Sequence, residues 1–219
     1  MKVELVALTH FVDYEDNPLF GDGCVVVGGA EDVIEDAGRL CYGGESAGSQ
    51  EEQARFIGAR IAQGHESILE HASATFLIDG ISRACMAQLT RHRLSSFSVR
   101  SQRYCDESDA DYVVPPALIG CDDGDAELLF RATASHAIDV YRQLVDRGVR
   151  KEDARFILPE ATATKMMMTC NFREWRHVIR LRCDKAAQWE IRAVAMEVLR
   201  QLHKVAPAVF ADLWGMYGG

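Results

Sequence analysis

The chain has 219 residues, of which 48% are apolar and 26% charged, and its formal net charge is −9 at pH 7. These values are ordinary for a soluble globular protein, and the acidic balance argues against non-specific binding to nucleic acid or an anionic membrane. No apolar run is long enough for a transmembrane helix, and the seven cysteines form no CxxC pair, so we expect free thiols in the cytoplasm.

Periodicity and turn residues predict an α+β fold: a single domain, residues 1–219, with a small, mainly antiparallel sheet and several long helices. The predicted elements, in chain order, are a strand at 1–9, helices at Val33–Tyr42 and Glu51–Gln63, a strand at 72–78, a helix from Ser82 to about Arg91, an irregular acidic segment at 106–125, a helix at 126–147, a β-like segment at 162–169, and helices capped by Asn171 and Asp184. Glycines directly after the first, second and fourth of these helices are typical helix stops.

One segment departs from the acidic average. Residues 84–104 contain no acid but include His92 and four arginines, which are Arg91, Arg93, Arg100 and Arg103. The guanidinium fork matches phosphate and carboxylate oxygens, so the segment indicates a site for an anionic ligand. Two alternatives stay open on charge alone: a solvated basic face paired with acids elsewhere, and an RNA-binding loop, for which only Phe97 and Tyr104 could stack on bases.

The spacing adds a resemblance. Arg91-His92-Arg93, followed after seven residues by Ser101, resembles the RHR-x7-S signature of the flavin-dependent thymidylate synthases, the ThyX family. The resemblance implies that the tripeptide contacts FAD and that the serine stretch surrounds the nucleotide dUMP. The residues it assigns to dUMP are Gln88, Arg91, Val99, Arg100, Ser101, Gln102, Arg103, Arg155 and Arg182. The residues it assigns to FAD are Ser67, Arg91, His92, Arg93, Asn171, Arg173 and His177.

Other segments support the resemblance. His65–His71 is similar to a GHxSxxEH-like segment beside flavin and folate, which makes His65 a folate-side candidate. A zincin motif would need a second histidine at Leu69, so we expect no metal here, and we expect Glu70 and His71 only to cap a strand. Residues 154–159 resemble ARxxLP, residues 181–191 resemble LRxxxxAQxEI, and residues 39–42 also look familial. Three positions depart from the pattern: Ser98 and Val99 replace a common Asn-Glu, and Ala186 replaces a histidine found in some members.

The resemblance implies reductive methylation of dUMP to dTMP, with methylenetetrahydrofolate as one-carbon donor and NADPH as reductant through FAD. It also implies a homotetramer with shared active sites. No cysteine follows a proline, unlike in the cysteine-dependent thymidylate synthases, so we expect Arg182 to activate the uracil by stabilising negative charge. Ser101 is then a positioning donor, because the motif provides no general base beside it.

Two other functions remain possible from the residues. One is a non-enzymatic nucleotide- or RNA-binding domain that uses the same arginines. The other is a metal-dependent nucleotide phosphohydrolase that uses His65, Glu66 and His71. Bound flavin would exclude the first, and sensitivity to chelators would support the second.

Overall fold

A computed structural model of the chain describes residues 1–12, 26–44, 47–119 and 124–218. Its strands are β1 (Lys2–Leu8), β2 (Phe11–Val12), β3 (Val26–Gly28), β4 (Ser73–Ser82), β5 (Ser96–Val99) and β6 (Ala163–Asn171). Its α-helices are α1 (Ala30–Tyr42), α2 (Gln50–Ala62), α3 (Arg83–Leu89), α4 (Gly124–Asp146), α5 (Lys151–Ala154), α6 (Phe172–Arg182), α7 (Trp189–Val205) and α8 (Pro207–Tyr217). Short 3-10 helices occur at Glu66–His71, Pro116–Leu118 and Arg155–Ile157.

Within the described ranges, the strands form a four-stranded antiparallel sheet in the order β1-β4-β6-β5 and a two-stranded antiparallel pair of β2 with β3. In β4 and β6, alternate side chains are buried, as expected for strands with one face on a core. The α+β prediction with a mainly antiparallel sheet is therefore confirmed. No helix among the described residues is both long and apolar enough to cross a bilayer.

The predicted helix starts that depend on side-chain caps are largely confirmed. The Ser82 hydroxyl accepts a hydrogen bond from the Cys85 amide at 3.0 Å at the start of α3. The side-chain Oδ1 of Asn171 accepts one from the Glu174 amide at 2.9 Å at the start of α6. Each cap satisfies an amide that the first turn of a helix leaves without a partner. α1 ends at Gly43, whose φ of 68° is the left-handed conformation that favours glycine.

The prediction that Asp184 caps the last long helix is wrong. α7 begins at Trp189, where the Gln188 side chain accepts from the amides of Glu190 and Ile191. Asp184 instead accepts from the Ala186 amide in the preceding turn. Asp184 and Gln188 are both able to cap, and only the chain direction in three dimensions selects between them.

Several elements of the fold were not predicted from the sequence. α8 follows α7 directly and begins at Pro207, a residue that serves equally as a helix stop and as a first-turn residue. The short strands β2, β3 and β5 were not predicted. The described residues of the acidic segment at 106–125 include the 3-10 helix Pro116–Leu118 and a single β-bridge of Tyr112 with Thr162, and α4 begins within the segment at Gly124. Residues 120–123 of that segment lie outside the described residues.

The chain forms two compact units, and the prediction of a single domain stays a prediction. The first unit comprises residues 1–2, 78–91 and 97–167, and the second comprises residues 3–77, 92–96 and 168–219. In the first unit, α4 contacts α5 and the 3-10 helix at Arg155–Ile157. The Tyr141 side chain of α4 is fully buried, and its hydroxyl accepts from the Glu107 amide at 3.3 Å.

In the second unit, α6 packs against α7 and α8. Arg176 of α6 is fully buried and donates to both carboxylate oxygens of Asp212, at 2.7 and 2.6 Å, and to the carbonyl of Val209. A bidentate pair of this kind, between a buried arginine and a partly exposed carboxylate, is strongly directional. It fixes α6 on α8, and α6 carries three of the predicted site residues: Arg173, His177 and Arg182.

Candidate functional site

The Arg91-His92-Arg93 tripeptide lies in the turn between α3 and β5, and its three side chains differ in exposure. The His92 side chain is buried, with 4% of its surface exposed. The side chains of Arg91 and Arg93 are exposed, and neither makes a hydrogen bond or ion pair with another residue in the part of the chain described. Two unpaired guanidinium groups are suited to anionic oxygens. The tripeptide thus presents two cations and buries one imidazole.

A cavity of about 340 Å³ in the first unit contains two of the residues predicted to bind dUMP. It is lined by Arg83, Met86, Ala87, Gln102, Arg155, Phe156, Leu158, Pro159 and Glu160. Burial lowers the pKa of the Arg83 guanidinium; Glu107 opposes this shift, Arg155 adds to it, and Glu160, an acid in the cavity lining, also opposes it. Two guanidinium groups that destabilise each other's charge in one cavity would both be stabilised by an anion.

Arg83 and Arg155 are also anchored within the first unit. Arg83 donates to the Thr164 hydroxyl at 3.2 Å, and Arg155 Nε donates to the Glu152 carbonyl at 3.1 Å. These bonds hold both side chains without neutralising them, because neither acceptor is a charged group.

Arg100 and Arg103, also predicted to bind dUMP, are paired with acids in this structure. Arg100 Nε lies 3.1 Å from Oε1 of the buried Glu107, and Arg103 Nε lies 2.8 Å from Oε2 of Glu152. For these two arginines the alternative of a basic face paired with acids describes the observed contacts. Their assignment to dUMP stays a prediction, and a nucleotide that used their guanidinium groups would compete with both carboxylates.

The rest of the predicted dUMP set in the first unit is less exposed. Gln88, in α3, and Val99, at the end of β5, are half-buried, and Gln102 is buried. Ser101 is half-buried, and its hydroxyl accepts from the Arg103 amide at 3.2 Å. This bond orients the Ser101 hydroxyl as part of a turn, and the described contacts of the serine include no base that could activate it as a nucleophile.

The second unit contains a buried polar chain around His92. Arg182 Nε donates to His92 Nε2 at 3.0 Å, and His92 Nδ1 lies 3.8 Å from Glu174 Oε1. Burial, followed by the charges of Arg182 and His177, lowers the pKa of His92 to about 4, so the ring is neutral at pH 7. A guanidinium can only donate, so Nε2 is the acceptor and the proton of His92 resides on Nδ1, towards Glu174. Burial raises the pKa of the Glu174 carboxyl, and His177 opposes that shift.

The same residues resemble a cation site, but their hydrogen bonding argues against one. His92, Glu174 and His177 offer ligand atoms that lie within 4.8 Å of one another. With Nε2 bonded to Arg182, the nitrogen that faces Glu174 carries a proton and has no lone pair for a metal. Metal binding would therefore require loss of the Arg182 contact.

The ligand set of the phosphohydrolase alternative is not assembled among the described residues, because His65, Glu66 and His71 do not form a cluster there. Glu66 instead pairs with Arg180 at 3.0 Å. His71 and Glu70 lie in the 3-10 helix before β4, where Glu70 pairs with Arg173 at 2.5 Å.

The predicted flavin residues of α6 share one face. Asn171 caps the helix, and Arg173 and His177, four residues apart, are both exposed. Ser67 is also exposed, in the 3-10 helix at Glu66–His71. FAD carries a diphosphate, whose oxygens suit the exposed guanidinium groups of Arg93 and Arg173. Arg173 is paired with Glu70, so a diphosphate that used it would compete with that carboxylate. The residues present therefore fit the cofactor that the resemblance implies.

The folate-side candidate His65 has a partner that the sequence analysis gave no role. Its Nδ1 lies 2.7 Å from the Tyr42 hydroxyl, and the Arg60 guanidinium lies over the Tyr42 ring at 4.9 Å. Tyr42 and His65 are both exposed. Tyr42 thus holds the imidazole of His65 in one orientation at the surface of the second unit.

Two further residues were missed. Arg83 lies one position before the acid-free segment, and its spacing from Met86 and Ala87, which line the same cavity, was a usable signal. Glu174 was missed as well, because nothing in the sequence signals that its carboxyl lies near His92.

Comparisons with known proteins agree with the resemblance. The family model described as Thymidylate synthase complementing protein, Thy1, matches residues 26–208. The flavin-dependent thymidylate synthase of Geobacter sulfurreducens is 43% identical over 189 residues, which cover 83% of this chain and 81% of that protein. Those of Mycobacterium avium and Mycobacterium tuberculosis are 40% and 39% identical over 229 residues, covering 97% of this chain and 89% of each relative. From the extent of the family match and the identity to these relatives, it follows that the chain belongs to the Thy1 family, as the Arg91-His92-Arg93 motif predicted.

Proposed function

We propose that this chain binds the phosphate of dUMP in the arginine-lined cavity of the first unit and uses Arg182 to activate the uracil. The activity itself, flavin-dependent thymidylate synthesis, follows from membership of the family. The reaction is the reductive methylation of dUMP to dTMP, with methylenetetrahydrofolate as one-carbon donor and NADPH as reductant. Bound FAD supplies the redox chemistry, passing reducing equivalents from NADPH to the one-carbon unit.

The observation that carries the phosphate site is the pairing of Arg83 with Arg155 in one cavity. Both donate to neutral acceptors, and a dianionic phosphate would relieve their mutual repulsion. The single carboxylate of Glu160 in the same cavity offsets part of that repulsion at Arg83. The buried amide of Gln102 adds a neutral donor to the same cavity. For Arg91, Arg93 and Arg173, exposure and charge support the proposed contact with FAD, and for His177 its exposure does.

Arg182 is proposed to stabilise negative charge on the uracil ring, which makes C5 more nucleophilic towards the one-carbon unit. A preorganised charge in a site with little water contributes roughly 3–4 kcal/mol to lowering such a barrier. Its Nε donates to His92, and the planar guanidinium held in this way is the group proposed to contact a uracil carbonyl.

The buried thiols do not suit the alternative, a cysteine nucleophile. Burial raises the pKa of Cys170 to about 12 and that of Cys183 to about 11, so both are protonated at pH 7. All five cysteines that the structure describes are free, which supports a reducing compartment, the cytoplasm, for this chain. The homotetramer with shared sites stays a prediction.

The phosphate site is tested by Arg83→Gln and Arg155→Gln. Each should raise the KM for dUMP roughly tenfold or more, as expected when one charge-assisted contact worth about 1.5–3 kcal/mol is lost. Flavin reduction by NADPH, measured without dUMP, should change little. Arg142→Gln is the matched control, since Arg142 is an exposed arginine of the same unit that bonds to Asp139 and to the Ser108 carbonyl. An unchanged KM for dUMP in both test variants would show that the phosphate binds elsewhere.

A further inference from the structure

We infer that His92 is a positioning residue for Arg182. His92 accepts the hydrogen bond that fixes the plane of the Arg182 guanidinium group. The contact joins Arg182 Nε to His92 Nε2 at 3.0 Å. This inference rests on the proposed role of Arg182 in activating the uracil. It gives the central residue of the tripeptide a task different from that of the two arginines beside it.

Burial separates His92 from its neighbours. The ring has 4% of its surface exposed, whereas Arg91 and Arg93 are exposed. A ring that is almost entirely enclosed by its own chain offers little surface to a ligand. Its main polar contacts are those already described, with Arg182 on one side and Glu174 on the other.

The direction of the hydrogen bond defines what His92 supplies. Because a guanidinium has no acceptor, Nε2 must present its lone pair to Arg182. The Nδ1 proton then points towards the Glu174 carboxylate at 3.8 Å, a distance at which attraction favours this tautomer without a full hydrogen bond. The groups that face the ring from the neighbouring elements are Glu174, His177 and Arg182. Burial and the charges of Arg182 and His177 keep the ring neutral, and the contacts with Arg182 and Glu174 hold it in one orientation.

An arginine needs such an acceptor to act precisely on a substrate. Its side chain has several rotatable bonds, and holding it in one geometry costs conformational entropy. A bond at Nε sets both the position and the plane of the fork, because Nε is part of the planar guanidinium. Small errors in the placement of a group that acts on the reacting atoms reduce rates strongly. His92 therefore acts through Arg182 and is not itself a catalytic residue.

Two replacements of His92 separate the loss of the hydrogen-bond acceptor from the loss of the imidazole ring. His92→Gln places a carbonyl oxygen near the position of Nε2, so it can still accept from Arg182. His92→Asn is shorter and reaches only as far as Nδ1. We expect His92→Asn to lower kcat for dTMP formation roughly tenfold or more, with a smaller change in the KM for dUMP. His92→Gln should recover a large part of that loss, whereas a merely structural role gives Gln no such advantage.

A double-mutant cycle provides the decisive test. The rates of dTMP formation and of flavin reduction by NADPH are measured for His92→Asn, Arg182→Ala and the combined variant, each checked for thermal unfolding and flavin content. If His92 acts through Arg182, the combined variant is no slower in dTMP formation than Arg182→Ala alone, and flavin reduction is preserved in all three. Independent, multiplying losses would overturn the inference, as would loss of flavin from both His92→Asn and His92→Gln while Arg182→Ala retains it.

The same measurements distinguish failure of this inference from failure of the proposed function. Near-normal dTMP formation by Arg182→Ala would remove the proposed role of Arg182, and the inference with it. A strong loss in Arg182→Ala together with normal turnover in His92→Asn would overturn only the inference.

Discussion

Arg182→Ala is the substitution that bears most directly on how this chain activates dUMP. Arg182 ends α6, is half-buried, and donates through Nε to a neutral imidazole. Loss of a preorganised charge-stabilising donor costs roughly 3 kcal/mol of barrier, so dTMP formation should fall by about a hundredfold or more. If Arg182 were only a surface ion-pair partner, its removal would cost below about 1 kcal/mol of stability and leave the rate nearly unchanged.

The two half-reactions make this measurable. Reduction of the flavin by NADPH, followed by absorbance in the absence of dUMP, should stay close to normal in Arg182→Ala, because that step does not involve the pyrimidine. Formation of dTMP, followed by product analysis in a single turnover, should show the full loss. Arg182→Lys should recover little, because an ammonium cannot reproduce the planar fork.

Arg180→Ala is the matched control. Arg180 lies two residues earlier on the same helix, is exposed, and pairs with Glu66 at 3.0 Å. Its removal deletes the same side chain and the same charge, and both rates should stay within about threefold of the unmodified protein, as expected for an exposed pair. Equal losses in Arg180→Ala and Arg182→Ala, or near-normal dTMP formation by Arg182→Ala, would refute the reasoning.

Three further predictions follow from the described side chains. Arg91→Ala and Arg93→Ala should purify with less FAD, because each removes an exposed cation that has no partner among the described residues; a normal ratio of flavin to protein absorbance would contradict their assignment. Cys170→Ala and Cys183→Ala should keep kcat within about tenfold, since both thiols are protonated at pH 7; a folded, flavin-bound variant without activity would indicate a thiol mechanism. The pKa of His92 is lowered from 6.5 to about 4, so between these values the unfolded chain binds a proton that the folded chain does not, and the free energy of unfolding falls as the pH falls. Between about pH 7 and pH 5 the unmodified protein should lose up to about 2 kcal/mol more stability than His92→Gln in denaturant titrations; equal losses would show that His92 titrates normally.

The order and type of most elements could be predicted because they depend on local signals. Asn171 and Glu174 mark the start of α6, Gly43 marks the end of α1, and alternate burial defines β4. The residue that caps α7 could not be predicted in this way. Asp184 and Gln188 can both accept hydrogen bonds from backbone amides, and the path of the chain decides which of them stands at the start of the helix. α8 was missed because its first residue is Pro207. Proline occurs both just after the end of a helix and in the first turn of a new one, so it did not distinguish the two cases.

The candidate site shows the same division. The motif identified the arginines, and their charge excess predicted an anionic ligand, but a motif does not specify burial. That His92 is enclosed while Arg91 and Arg93 are exposed depends on packing of residues far apart in sequence. The pairing of Arg100 with Glu107 was accessible, since the acid lies only seven residues on, just beyond the acid-free segment. The Arg182–His92 contact joins residues 90 positions apart and required the fold.

The central claim, that this chain is a flavoprotein which methylates dUMP, is tested most directly by the visible absorption spectrum of the purified protein. The account predicts flavin bands that co-purify or appear on addition of FAD, and that bleach when NADPH is added. Recovery of the bands on addition of dUMP and methylenetetrahydrofolate, with dTMP as product, completes the prediction. A folded protein that retains no FAD, or whose bound flavin NADPH does not reduce, would contradict it.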